Sequence, residues 1–187
     1  MICLHLLLLL YADDIVIMSE TEEGLKHDLF LLEKYCDRWK LTVNATKTKV
    51  MIFRKGGRVN RNIRFIYKGH VLEIVSKLTY LGIVFTTGGS FNTTFEMLAG
   101  PALKAIFKLK SNLLTFPGIT IRHKFDQLSL PILNYGSEVW GLNDSTKLEG
   151  IHLHFCKHIL WVRGQTQNNF VYGELGRTSL KSRRVVN

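Results

Sequence analysis

Asp13 and Asp14 stand side by side between two apolar runs, residues 6–10 and 15–18. Adjacent carboxylates in an apolar setting are costly to leave unpaired. A divalent cation offsets that cost, and Mg²⁺ takes carboxylate oxygens together with water and phosphate. A tight turn suits the task because it fixes both groups on a rigid base. A solvated, Asp-rich β-turn is the plainer reading of the pair taken alone. The preceding Tyr11-Ala12, the apolar flanks and the helix that follows favour a metal site.

Two other constellations are weaker. His152, His154, Cys156 and His158 lie close together. On a helix, 152 and 156 share one face and 154 and 158 a neighbouring one, so each face offers two ligands at most. No C-x-x-C companion accompanies them, and zinc is not expected. Gly88-Gly89 reads as a turn, because no Gly-Lys-Ser/Thr follows to make a phosphate loop.

The elements that must position the carboxylates are legible in the pattern. The two apolar runs predict a hairpin. Ser19-Glu20-Thr21-Glu22 reads as a helix start with acids in its first turn. Leu25, Leu29, Leu32, Cys36 and Trp39 then share one helical face, and the helix should end near Trp39 or Lys40. Residues 41–44 and 50–53 are short and β-prone. Residues 62–67 and 71–75 flank Lys68-Gly69-His70 as a second hairpin, and residues 77–85 read as a further strand. Gly100-Pro101 is expected to open a helix with Pro in its first turn. Its stripe is Ala102, Ile106, Leu109 and Leu113. Phe116-Pro117-Gly118 reads as a break. Ile121, Phe125, Leu128 and Ile132 make the next face, kinked by Pro131. Asn134-Tyr135-Gly136 is a second break, and Leu148, Ile151, Phe155, Ile159 and Val162 make the last stripe.

Composition bounds the partners. Of 187 residues, 46% are hydrophobic and 21% charged, the profile of a folded chain rather than a disordered one. The net charge is +10 and the pI about 9.7, which favours a polyanion through counterion release. An anionic membrane would satisfy the same electrostatics. The basic residues are spread out, with clusters at Arg54-Lys55, Arg122-His123-Lys124 and Lys181 to Arg184, which suits an extended groove better than a disordered arm. Cys3, Cys36 and Cys156 are odd in number and form no close pair, as expected in a reducing compartment. Residues 1–10 lack a basic start and a cleavage site, and are too short to span a bilayer. Secretion and membrane insertion are therefore not expected.

With these residues in place, the chain resembles the reverse transcriptases of non-LTR (LINE-type) retrotransposons. LLLLYADDIVIMSET looks like their motif C with its flanking strands. LFLLEKYCDRWKLTVNATKTKVMIF looks like motif D and its return strand, and KLTYLGIVFT like motif E, the primer grip. LPILNYGSEVWG and the later FCKHIL and VYGELGR resemble the thumb and the region beyond it. The resemblance implies an α+β fold. Residues 1–93 would be a partial polymerase palm (motif C hairpin, motif D helix, motif E hairpin), and residues 94–187 a helical thumb and C-terminal extension.

It also implies roles. Asp13 and Asp14 would be catalytic metal ligands for Mg²⁺ or Mn²⁺ in two-metal nucleotidyl transfer. Tyr11 and Ala12 would lie against the primer terminus or the incoming nucleotide. Lys47 or Lys49 would stand near the triphosphate, where Lys47 could protonate the leaving pyrophosphate; two solvated lysines are an equal alternative. Tyr80, Leu81 and Gly82 would form the primer-grip turn, or simply a packed hairpin. Lys104, Lys108 and Lys110 would track the template backbone, or solvate a helix. The implied partners are an RNA template, a DNA primer and deoxynucleoside triphosphates, without a membrane, in the nucleus or cytoplasm. The family also needs an Asp in motif A and the fingers, which would precede Met1. The 187-residue polypeptide is therefore expected not to polymerise alone. A non-enzymatic nucleic-acid-binding remnant is the alternative.

Overall fold

The two apolar runs form a hairpin in the computed structural model, which describes residues 7–57, 62–111 and 118–186. Residues 1–6, Leu113 and Phe116-Pro117, expected in a strand, a stripe and a break, lie outside the described residues. The fold mixes helices with small sheets and divides into two compact units, Met1–Leu78 and Thr79–Asn187. This division follows packing, whereas the 93/94 boundary follows the order of family motifs.

In the first unit, β1 (Leu7–Tyr11) and β2 (Asp14–Met18) run antiparallel, with Leu9 opposite Val16 and Tyr11 opposite Asp14. α1 (Glu22–Trp39) follows. Thr21 caps it: its hydroxyl accepts the Gly24 N–H at 3.0 Å, and Glu22 and Glu23 sit where the helix dipole favours negative charge. Leu29 and Cys36 are buried, with Leu25 and Leu32 packed beside Leu29. Trp39 does not join them and is 60% exposed. It is the last helical residue, and the chain turns away through left-handed Lys40 (φ 54°) before anything can cover the ring.

The β-prone stretches shorten. Residues 41–44 form no strand, because the Asn44 side chain takes the backbone N–H groups of Thr46 and Lys47 into a local turn. Only β3 (Lys49–Val50) remains beyond it. β4 (Ile66–Tyr67) and β5 (His70–Val71) pair around Lys68 and Gly69, both at positive φ. β6 (Glu73–Ile74) leaves that hairpin and runs parallel to β3, Lys49 opposite Glu73. Val50, Phe65, Tyr67 and Leu72 close over Leu29 as the core. Lys68 ties the turn to α1 through Asp37.

β7 (Lys77–Tyr80) carries the chain into the second unit and pairs with β8 (Ile83–Thr86). Residues 77–85 are thus a hairpin, not one strand. Leu81 (φ 47°) and Gly82 (φ 73°) are both left-handed, the type I′ pattern that matches strand twist. The helices follow: α2 (Asn92–Ser111), α3 (Gly118–Leu128), α4 (Leu130–Leu133), α5 (Ser137–Trp140), α6 (Thr146–Ile159), α7 (Asn168–Glu174) and α8 (Leu180–Val186).

α2 does not open at Gly100-Pro101; it begins at Asn92 and passes through Pro101. An interior Pro costs about 3 kcal/mol. Phe95 and Leu98, already on the buried face, return about 1.5–3 kcal/mol each on burial, so the helix continues. Pro131 does not kink a longer helix either. It lies in the first turn of the separate α4, where its missing N–H costs nothing. Leu128 at the end of α3 is exposed rather than part of the stripe. The core of this unit gathers Phe95, Ala102, Ile106, Phe125, Leu148 and Phe155. Among the described residues no helix is long and apolar enough to cross a membrane.

A polar network runs through this core. Arg177 is buried, donates to Asp126 at 2.8 Å and faces His152 Nε2 at 3.4 Å. His152 stacks between Phe125 and Tyr172, and Tyr172 donates to Glu149. Glu149 also accepts the Leu180 N–H at 2.8 Å, anchoring α8. Burial, reinforced by Arg177, holds His152 below its ordinary pKa despite Glu149 nearby. Its Nδ1 lies 3.6 Å from Glu149 Oε1, too far for a hydrogen bond. Burial would raise Glu149, but contacts from His152 and Tyr172 and the Leu180 amide together hold it low. Burial pushes the Cys156 thiol up to about 11, leaving it an inert core group.

Candidate nucleic-acid and metal site

Tyr11, Ala12, Asp13 and Asp14 come together as the tip of the β1–β2 hairpin, and all four are exposed. Ala12 and Asp13 are the two central residues. Ala12 has a positive φ of 49° and Asp13 does not, so the first central position is one that glycine normally favours. An alanine there is strained by about 1–2 kcal/mol. The strain fixes a turn from which two carboxylates emerge at consecutive positions. Two oxygen donors fit part of a Mg²⁺ or Mn²⁺ shell, whose remaining places go to water and phosphate. Among the described residues no group of three His, Cys, Asp or Glu side chains is gathered to hold an ion.

Lys47 is presented by the turn that Asn44 builds. Asn44 Oδ1 accepts the Thr46 and Lys47 N–H groups at 3.1 and 3.2 Å, and the Thr48 hydroxyl donates to the Asn44 carbonyl at 2.9 Å. The Lys47 side chain is exposed, whereas Lys49 is ion-paired with Glu73 across β3 and β6. Of the two lysines, Lys47 is the one held out to solvent. Asn44 was not singled out in the sequence, although an Asn opening a polar turn is the signal that finds it.

Tyr80, Leu81 and Gly82 meet at the β7–β8 turn in the second unit. The Tyr135 hydroxyl donates to the Leu81 carbonyl at 3.0 Å. A Cβ on Gly82 would come within 3.2 Å of that tyrosine ring, so the close approach and the positive φ both call for glycine. Beneath it Gly136 (φ 66°) packs on Ile83, where a Cβ would fall 2.4 Å from Ile83 Cδ1. Trp140 Nε1 donates to the Tyr135 carbonyl at 3.0 Å, and its buried ring meets Phe95 edge-on at 5.1 Å. Arg184 lies over that indole at 4.4 Å. On β8, the Val84 N–H and C=O both bond to buried Thr94 Oγ1, at 2.9 and 3.0 Å. The segment LPILNYGSEVWG thus supplies what holds this turn. Composition and periodicity gave no sign of that, because the partners are 54 residues apart for Tyr135 and Leu81.

The three α2 lysines divide. Lys104 and Lys108, four residues apart, are exposed. Lys110 turns toward α6, with Nζ 2.8 Å from His154 Nε2. Of the four metal-type residues on α6, His152 and Cys156 are buried in the core, while His154 and His158 look outward toward Lys110.

Comparison with known proteins gives concordant matches. Residues 3–85 match the family model described as reverse transcriptase (RNA-dependent DNA polymerase). The chain is 28% identical over 145 residues to a Drosophila melanogaster protein named probable RNA-directed DNA polymerase from transposon BS, covering 73% of this chain. That alignment spans only 16% of the length of the Drosophila protein. No solved structure matches the chain significantly.

Proposed function

We propose, for a chain that carries reverse transcriptase sequence of the retrotransposon kind, that its Asp13-Asp14 turn supplies metal ligands for RNA-directed DNA synthesis in the parent enzyme, of the non-LTR type. The observation that carries this reading is the strained, exposed tip on which the two carboxylates stand, inside the segment matched by the family model. The binding-remnant alternative is not favoured by that match.

In this reading the first unit is part of the palm, and the second carries the primer-grip hairpin and a thumb-like set of helices. Asp13 and Asp14 hold Mg²⁺ or Mn²⁺. When bound, the ion supplies positive charge for the attacking hydroxyl and the triphosphate. Tyr11 and Ala12 border the primer terminus or incoming nucleotide. Lys47 gives a proton to the leaving pyrophosphate. Tyr80, Leu81 and Gly82 bear on the primer strand, held in shape by Tyr135. Lys104, Lys108 and Lys110 contact the backbone of the template.

Manganese titration followed by NMR tests the metal role. Substoichiometric Mn²⁺ should broaden the Asp13 and Asp14 amide signals selectively, and Asp13→Ala should remove the effect. Broadening that survives in Asp13→Ala sinks the assignment. In a primer-extension assay with Mg²⁺ or Mn²⁺, the 187-residue polypeptide alone should give no product. Robust extension abolished by Asp13→Ala would show that two carboxylates suffice.

A further inference from the structure

The end of α6 places a large exposed ring where α7 places a glycine. α6 closes on a paired backbone cap, the Trp161 N–H donating to the His158 carbonyl at 3.2 Å and the Val162 N–H to the Lys157 carbonyl at 3.1 Å. α7 closes with the same pair of bonds, from Gly176 to Gly173 and from Arg177 to Tyr172. In this cap one residue must adopt left-handed backbone, and glycine does so without strain. α7 has Gly176 there (φ 56°); α1, closed by the same pair of bonds, has Lys40 (φ 54°), and α6 has the bulkier Trp161 (φ 54°). The Trp161 ring is also 77% exposed, and the ring contact it makes is a stack on His158 at 5.7 Å. Strain and exposure together are unfavourable for folding, which points to a use outside the core.

Beside this ring lies a group of basic side chains without an anion. Lys110 from α2 meets His154 on α6, and His158 stands one turn further along. Among the described residues no carboxylate pairs with any of the three. Burial holds Lys110 below its usual range. Burial and the neighbouring cations do the same for His154 and His158. Phe107, 63% exposed, lies against Lys110 at 5.8 Å. Such a cluster has hydrogen-bond donors and lacks the charge that would let all of them be fully protonated together.

We propose that this surface binds single-stranded nucleic acid, a backbone phosphate lying among Lys110, His154 and His158 and a base stacking on Trp161. A phosphate accepts from all three groups and supplies the missing negative charge. An aromatic face beside a cationic groove is how single strands are held without sequence preference. The chain's net charge of +10 provides the long-range attraction. This deepens the backbone role given above to Lys110 and does not depend on Asp13 or Asp14.

Fluorescence anisotropy of the full 187-residue chain with labelled 12-nucleotide oligo(U) and oligo(dT) is the test. Trp161→Gly should weaken binding about tenfold, while thermal unfolding stays at or above the wild-type temperature. The double variant His154→Gln/His158→Gln should weaken binding, and Lys110→Gln should lower the salt slope by about 0.7, the value for one phosphate on a single strand. Wild-type affinity in both the Trp161 and the histidine variants overturns the inference. If Lys104→Gln/Lys108→Gln still weakens binding in that case, the general backbone reading survives and only this site fails. Two further outcomes overturn it: a dimer in sedimentation that Trp161→Gly dissociates, or Trp161-dependent binding to phosphatidylserine vesicles without binding to the oligonucleotides.

Discussion

Two of the hairpin turns among the described residues, the first and the last in chain order, match in length and are supported in opposite ways. The Tyr11 to Asp14 turn holds its shape through its own two strands, with its tip exposed and Ala12 strained. The Tyr80 to Ile83 turn is bolted from outside by Tyr135, Gly136 and Trp140, and its second strand by Thr94. The first turn presents two adjacent carboxylates; the second presents a shape that distant packing maintains. On the proposed reading, a turn that admits an ion and a substrate cannot be covered, whereas a turn that grips the primer can be buttressed from behind. The contrast predicts that core damage reaches the second turn and leaves the first untouched.

The largest break should come from Trp140→Ala. It removes a fully buried ring, its hydrogen bond to the Tyr135 carbonyl and its contacts with Phe95 and Arg184. A loss of about 3–5 kcal/mol is expected. Urea unfolding followed by near-UV circular dichroism should show it. Hydrogen exchange should show the Val84 amide, bonded to Thr94 Oγ1, losing protection while Leu9 and Val16 keep theirs. Equal loss in both hairpins would end the contrast.

Acid should sharpen the same contrast more gently. The folded pKa of His152 is depressed by burial, so the unfolded chain takes up a proton that the folded chain refuses. Stability is therefore intact above the ordinary imidazole value of 6.5 and falls as pH drops below it. Glu149, also depressed, adds a second loss below the ordinary carboxyl value of 4.5. Both belong to the second unit. Melting curves from pH 8 to 4 should show that unit weakening first, and a flat profile would mean that His152 protonates without cost.

Much of this was legible in the residues, and the failures have physical causes. The first hairpin followed from two apolar runs, and α1 from its stripe and Thr21 cap. The Asp13-Asp14 pair was legible because both partners are adjacent in the chain. Trp39 was misplaced because periodicity records which face a residue takes, not whether anything covers it. The start of α2 was missed because local proline preference was outweighed by burial of Phe95 and Leu98. The bolts behind the second turn could not be found by spacing, since they join β7–β8 to a segment half a hundred residues away.

The smallest effects come from exchanging the turns' central residues, and they test the contrast most directly. Gly82→Ala puts a Cβ at a φ of 73° and 3.2 Å from the Tyr135 ring. It should destabilise the second unit by about 1–2 kcal/mol. Ala12→Gly works in the other direction. It relieves left-handed strain at φ 49°, but glycine gives back about 0.5–1 kcal/mol of backbone entropy on ordering. The net gain should be about 0.5–1 kcal/mol, read as stronger cross-strand NMR contacts between Leu9 and Val16. That gain should carry a cost at the tip, because a glycine turn holds Asp13 and Asp14 less rigidly. Manganese broadening of their amides should then need a higher Mn²⁺ concentration. If Ala12→Gly strengthens both the hairpin and the Mn²⁺ response, the strain at Ala12 is incidental and the tip owes nothing to it.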